Sequence, residues 1–374
     1  MSEIIRVMVI DDSIVYRNWL IGALKEDPRF EVIGYAINAY DAKQKIPILK
    51  PDIITLDIEM PGMSGIEFLK TLLPTHPLPV ILVSSLNLRV FDALAAGAID
   101  FVRKPDDKNG LSKETFLRTL KTKLAMGVHA RVHLPYASGP AVPAASIPSS
   151  SIQASPVKNS TGAMARTTAL LHDSSRLSKG TGRKLPPVIA IGASTGGTEA
   201  ILEVVRHFPA KTPPVVITQH MPAGFTSMYA ERLNRICPME VREAKNGDHL
   251  RQGLILLAPG GMQMRLVPLG SSYSVSILPS EKVNGHRPSV DVLFDSVAMH
   301  VRNQAIGVLL TGMGADGAAG LLRMRKNGAY TFGQDRESCV VYGMPMEAWK
   351  IGAVCRQLPL SAIGPAVLKQ LSFI

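Results

Sequence analysis

Short apolar runs alternate with helical patterns in both halves of this chain, and no other feature limits its fold so strongly. In the N-terminal third the runs are Val7–Ile10, Val32–Tyr35, Ile53–Asp57, Val80–Ser84 and Asp100–Val102, with helical segments between and after them. In the C-terminal half Val188–Ile191, Val215–Thr218 and Ile306–Leu310 follow the same rule. Strands this short and apolar are suited to burial on both faces, and intervening helices are the crossovers that parallel strands require. The expected class is therefore α/β, with two doubly wound parallel-sheet domains: a (βα)5 unit over residues 1–126 and a Rossmann-like domain over 187–374. Leu254–Leu257, Met264–Val267 and Ser274–Leu278 read as short strands forming a β-hairpin region at the edge of the second sheet. Ligand crevices in such sheets open at the carboxyl ends of the strands.

Between the two units, residues 127–186 lack sustained periodicity and are rich in Ser, Pro, Ala and Thr, as in a flexible linker. Seven basic side chains fall there (Arg131, Lys158, Arg166, Arg176, Lys179, Arg183, Lys184) against one acid, Asp173, so more than half of the chain's +11 charge belongs to the linker. With 5% aromatic residues and no basic recognition helix, specific nucleic-acid binding is not expected. The N-terminus has no signal-peptide pattern and no apolar run approaches a membrane span, which reads as a cytoplasmic rather than an integral membrane protein. Cys237, Cys339 and Cys355 are too widely spaced for a zinc site or a disulfide framework.

In the first unit, polar residues collect where the strands end. Asp11 and Asp12 follow the first run, Asp57 ends the third, Ser84 ends the fourth, and Lys104-Pro105 follows the fifth. Taken singly, these read as a helix cap, a turn or a surface charge. Three clustered carboxylates, however, repel one another unless a cation joins them, and an all-oxygen set suits octahedral Mg²⁺. Ser84 and Lys104 are then placed to hold phosphoryl oxygens. The blocks IDDS, LDIEMPGMSG, VSS and DFVRKP resemble the receiver domain of bacterial two-component response regulators. That resemblance implies Asp57 as phospho-acceptor, Asp11 and Asp12 serving Mg²⁺ with it, Ser84 and Lys104 contacting the phosphoryl group, and Phe101 at an aromatic switch position.

The second unit presents a different set. Gly192-Ala193-Ser194-Thr195-Gly196-Gly197 lies between a strand run and a helical run, so Ser194 is displayed on a strand-to-helix turn. Alone, this stretch reads more readily as a Gly-rich turn or a phosphate cradle than as a nucleophile. Val215–Thr218 leads to His220, and Ile306–Leu310 leads to Thr311-Gly312-Met313-Gly314-Ala315-Asp316. A hydroxyl nucleophile needs an adjacent base, and an imidazole base needs an acceptor that fixes its tautomer; one sheet edge here offers a Ser, a His and an Asp. Their order differs from the Ser, Asp, His order of α/β-hydrolases, so that fold is not imported.

IGASTGG, QHMPAGFT, LAPGG, HRPSVDVLF, LTGMGADGAAGLL and QDRESCVVYGMP resemble the catalytic domain of the chemotaxis protein-glutamate methylesterase (CheB) family. The resemblance implies a hydrolase triad of Ser194, His220 and Asp316, with Thr195 and Met313 lining the site near the oxyanion; Asp291 and Phe294 are read as structural. It further implies demethylation of glutamate methyl esters on methyl-accepting chemoreceptors, deamidation of receptor glutamines, a chemotaxis histidine kinase as phosphodonor, and hydrolysis without a cofactor. A DNA-binding output would need a helix-turn-helix instead of strands, and a silent receptor adaptor would need no triad.

Overall fold

The computed structural model describes residues 4–85, 89–105, 112–132 and 186–374. The N-terminal unit runs β1 (Ile5–Ile10), α1 (Ile14–Lys25), β2 (Phe30–Ala36), α2 (Ala39–Leu49), β3 (Ile53–Leu56), α3 (Gly65–Leu72), β4 (Val80–Ser84), α4 (Arg89–Ala95), β5 (Asp100–Arg103) and α5 (Lys113–Gly127). Its five strands are all parallel in the order β2-β1-β3-β4-β5. Alternate residues of β1 face opposite layers. Val7 and Val9 pack with Leu20, Leu24, Phe116, Leu120 and Leu124, whereas Met8 and Ile10 join Phe68, Leu69 and Phe91. That two-sided burial is why the strand reads as an unbroken apolar run. On α5, Phe116, Leu120 and Leu124 repeat at a spacing of four and form one stripe over the sheet. Ser64 and Glu67 close a capping box at the start of α3, and Ser112 caps α5.

The C-terminal unit contains β6 (Val188–Ala193), α6 (Gly197–Val205), β7 (Val215–Gln219), α7 (Phe225–Ile236), β8 (Glu240–Glu243), β9 (Leu254–Leu257), β10 (Gln263–Leu269), β11 (Ser272–Leu278), α8 (Val290–His300), β12 (Ala305–Leu309), α9 (Ala318–Lys326), β13 (Tyr330–Gln334), α10 (Met344–Lys350), β14 (Arg356–Leu358) and α11 (Leu360–Leu371). Seven of these strands make one parallel sheet, β14-β13-β12-β6-β7-β9-β8. From β6 the chain builds outward through β7, and only later through β12 on the other side. The switch point of the sheet therefore lies between β6 and β12, where the crevice at the strands' carboxyl ends is widest. The corresponding switch in the N-terminal sheet lies between β1 and β3.

Two expectations are corrected. Leu254–Leu257 does not belong to a hairpin region: as β9 it is fully buried and pairs in parallel with β7 and β8. Four consecutive apolar residues suit a strand covered on both faces, whereas β10 and β11 mix buried and exposed positions and form a separate antiparallel pair against α8. The expected linker also begins too early. Gly127 closes α5, and Arg131 is held by Val340, to whose carbonyl its N–H donates at 2.9 Å. Most of the linker, including Ala137–Ser155, lies outside the described residues. No helix among the described residues is long and apolar enough to cross a membrane.

Candidate active site and phosphoryl-acceptor site

β6 runs two residues further than its apolar pattern, so Ser194 is the first residue past the strand, at the switch point. Its N–H donates to Thr311 O across the crevice (3.0 Å), and its carbonyl accepts from Gly197 N (2.8 Å) and from Gln219 Nε2 (2.8 Å). The turn is therefore tied to both neighbouring strand ends. Gly196 has φ +77°, and a Cβ there would lie 2.6 Å from Val340 Cβ, so conformation and space both demand glycine. A Cβ on Gly312 would come within 2.7 Å of Ser194 Cβ, which shows how closely the β12 loop approaches the serine.

His220 follows β7, and its N–H donates to Ala193 O at 3.1 Å. Its ring is buried, and Nε2 lies 2.7 Å from Asp316 Oδ2. An ionised carboxylate only accepts, so the shared proton belongs on Nε2, and the buried Nδ1, which has no partner among the described residues, presents its lone pair. Asp316 sits in a nest of donors: Val290 N at 2.7 Å, Ser289 Oγ at 2.7 Å, Asn284 Nδ2 at 2.8 Å and Asp291 N at 3.3 Å. Val290 and Asp291 open α8, whose N-cap Ser289 makes no capping bond of its own. Asp316 therefore supplies the capping acceptor that Ser289 does not provide, beside Asp291, the acidic residue already in the first turn of α8. Burial pushes the Asp316 carboxyl upward, but His220 and these donors outweigh it and hold the carboxyl well below the usual range.

The structure thus joins His220 to Asp316 directly and ties the Ser194 backbone to Thr311 and Gln219, at the ends of the strands that lead to them. Among the described residues no hydrogen bond links the Ser194 hydroxyl to His220, a looseness common in unliganded sites. Met313 is half-buried beside the serine turn, and neither its N–H nor that of Thr195 is used in a hydrogen bond among the described residues. Asp291 accepts from Gly320 N (2.6 Å) and Asn284 Nδ2 (2.7 Å), bracing α9 against α8, and Phe294 is fully buried.

At the other switch point, one carboxylate oxygen from each of Asp11, Asp12 and Asp57 lies within 4.8 Å of the others. Lys104 Nζ donates to Asp11 Oδ2 (2.8 Å) and to Asp57 Oδ2 (2.5 Å). Burial raises the Asp57 carboxyl; Lys104 opposes this and Asp11 adds to it, leaving the group above its ordinary value. The Ser84 hydroxyl is buried and has no hydrogen-bond partner among the described residues. A hard, all-oxygen donor set beside an orphaned hydroxyl fits Mg²⁺ and a phosphoryl group.

The two units meet through α4, β5 and α5 on one side and α6 and α7 on the other. Phe101 packs on Phe225 with ring centroids 4.5 Å apart, and Phe91 stacks on Tyr229 at 5.5 Å. Asp100 accepts from Lys123 Nζ at 2.5 Å and from the Thr195 hydroxyl, next to Ser194. A carboxylate of the first unit thus grips the serine turn of the second.

The CheB methylesterase family model matches residues 189–367, and the response regulator receiver domain model matches 7–115. A relative from Syntrophomonas wolfei, named protein-glutamate methylesterase/protein-glutamine glutaminase 2, is 48% identical over 98% of this chain and 97% of its own. The chain belongs to the CheB methylesterase family. A relative from Agrobacterium fabrum, protein-glutamate methylesterase/protein-glutamine glutaminase, is 46% identical over 99% of this chain and 97% of its own. The crystal structure of the Thermotoga maritima CheB methylesterase catalytic domain is 33% identical, covering 50% of this chain and 99% of that one, with a TM-score of 0.48.

Within this CheB-family chain, several contacts at the sites have no counterpart in the sequence reading. Ser289 before an apolar helix looks like an ordinary N-cap, and nothing local reveals that it serves a carboxylate arriving from β12. Asn284 and Gln219 are short-range unremarkable polar residues until the fold closes. Asp100 reads as the start of a strand, and its bond to Thr195 spans 95 residues. In the sequence His286 is one residue of the HRPSVDVLF block, with nothing local that pairs it with His220.

Proposed function

We propose that this chain is a phosphorylation-regulated protein-glutamate methylesterase with protein-glutamine glutaminase activity, acting on chemoreceptors in chemotactic adaptation. The observation that carries the catalytic assignment is the His220–Asp316 pair at 2.7 Å, seated beside Ser194 at the switch point of a CheB-family sheet. His220 Nδ1 takes the Ser194 proton, and Ser194 Oγ attacks the side-chain carbonyl of the receptor residue. The N–H groups of Thr195 and Met313 bind the oxyanion. His220 returns the proton to the departing methoxide, giving methanol, or to the departing amine, giving ammonia. Water, deprotonated by His220, then releases glutamate from Ser194. Asp316 stays ionised throughout and steadies the imidazolium.

Asp57 accepts the phosphoryl group from a chemotaxis histidine kinase. Asp11, Asp12 and Asp57 would hold Mg²⁺, which when bound neutralises charge on the phosphoryl oxygens. Ser84 donates its hydroxyl and Lys104 its ammonium to the phosphorylated side chain. The docked α4-β5-α5 face covers the approach to Ser194, and phosphorylation weakens that docking through Phe101, whose ring already bridges the two units. A tether raises the effective concentration of the receiver, so weak contacts suffice for closure.

The test is methanol release from methylated receptor membranes. Ser194→Ala is expected to lower the rate by a factor on the order of 10³ or more while leaving Asp57 phosphorylation intact. A Ser194→Ala chain that keeps its activity within about tenfold removes Ser194 from the mechanism.

A further inference from the structure

His220 is pinned at one edge only. Asp316 holds Nε2, and Nδ1 has no partner among the described residues, so a single hydrogen bond leaves the ring free to tilt about its own long direction. A second histidine stops that motion: the His286 ring lies flat on His220, with centroids 3.7 Å apart and planes within 7°. The backbone of His286 is fixed on both sides, donating to Val283 O at 2.9 Å and accepting from Val283 N and Gln263 Nε2 at 3.1 Å each. Its imidazole nitrogens make no hydrogen bond among the described residues, so what the side chain contributes here is its flat face.

The protonation of this second ring decides whether the stack helps or harms. Two stacked imidazoles cannot both carry charge without strong repulsion. The charges acting on His286 are those of His220, Lys123 of α5 and Lys282, which disfavour its proton, and that of Asp316, which favours it. Burial is the largest influence and also disfavours the proton, so the group is pushed down to about 4 and is neutral near neutral pH.

We propose that His286 is a positioning residue for the base: its neutral ring holds the His220 plane at the angle from which Nδ1 meets Ser194, and offers a π face to the imidazolium formed when His220 takes the serine proton. Electron-rich faces attract such cations, and small misplacements of a reacting group are costly in rate. The inference rests on the reading of His220 as the base.

The test compares full-length chains activated with a small-molecule phosphodonor and Mg²⁺, assayed for methanol release from methylated receptor membranes. His286→Ala should lower kcat on the order of tenfold with KM within about twofold, and His286→Phe, which keeps a flat ring, should recover most of kcat. Circular dichroism and thermal unfolding report whether each variant folds; if His286→Ala does not, His286→Gln replaces it, supplying an amide without a ring, and should be slow where His286→Phe is fast. In histidine-labelled chains, loss of the stacked ring should also move the His220 ring resonances downfield in either non-aromatic variant. A folded His286→Ala, or its Gln replacement, with kcat within about twofold of the parent overturns the proposal, and so does a folded His286→Phe as slow as that variant. His220→Gln is run in parallel: if it alone stays active, the base assignment has failed rather than the stacking.

Discussion

Replacing Asp100 with Ala should release the esterase from its own receiver. Asp100 is buried at the interface, and its bond from the Thr195 hydroxyl is charge-assisted and crosses between the units. Hydrogen bonds to a charged partner contribute about 1.5–3 kcal/mol, which corresponds to roughly 12-fold to 150-fold in the ratio of docked to undocked chains. Taking a docked fraction of about 99% in the unphosphorylated chain, the open fraction rises from about 1% to between about 10% and 60%. Basal methanol release from methylated receptor membranes should therefore increase about tenfold to sixtyfold, and further activation by a phosphodonor should shrink by the same factor. Lys123 loses a partner too, but its side chain is 23% exposed and can turn to solvent. Receiver integrity is checked by Asp57 phosphorylation and by the melting temperature. If both are normal and the basal rate is unchanged, the grip on Thr195 does not restrain catalysis and the receiver acts by some means other than docking over the serine.

Asp316→Asn should lower kcat by a factor on the order of 10³–10⁴ with a smaller effect on KM, because the amide cannot stabilise the imidazolium; equal changes in both would contradict the role. Acid stability should bear the mark of His286. Its folded value of about 4 lies below the unfolded value, so its contribution is fully present above about 6.5 and is lost as pH falls toward 4, up to about 3 kcal/mol. Melts between pH 7 and 4 should therefore fall less steeply for His286→Phe than for the parent, and identical slopes would refute the burial argument. Asp316 is held low, so its own contribution persists above the ordinary carboxylate value and is lost only on further acidification.

Much of both sites was legible because strand-end residues need only the order of the elements to be placed. Asp11, Asp57, Ser194, His220 and Asp316 each follow an apolar run, and parallel topology brings such positions to one edge whatever the detailed packing. β8, β13 and β14 escaped notice because Glu240–Glu243 buries mainly Val241, Tyr330–Gln334 interrupts its apolar residues with Thr, Gly and Gln, and Arg356–Leu358 has only three residues. Contacts such as Asp100 with Thr195, Ser289 with Asp316 and His286 on His220 depend on side-chain reach across long sequence separations. No local pattern encodes that reach, and the same residue types serve as caps and turns elsewhere.

The placement of Asp316 at the head of α8 has a consequence for biosynthesis. Ser194 and His220 leave the ribosome well before Asp316, and α8 cannot close its exposed N–H groups until the loop after β12 has been made. Under the proposed triad, a chain interrupted in that interval has a serine and an imidazole but no carboxylate to set the tautomer between them. On that reading hydrolytic competence arrives late in synthesis, and a chain truncated before Asp316 is expected to be inert.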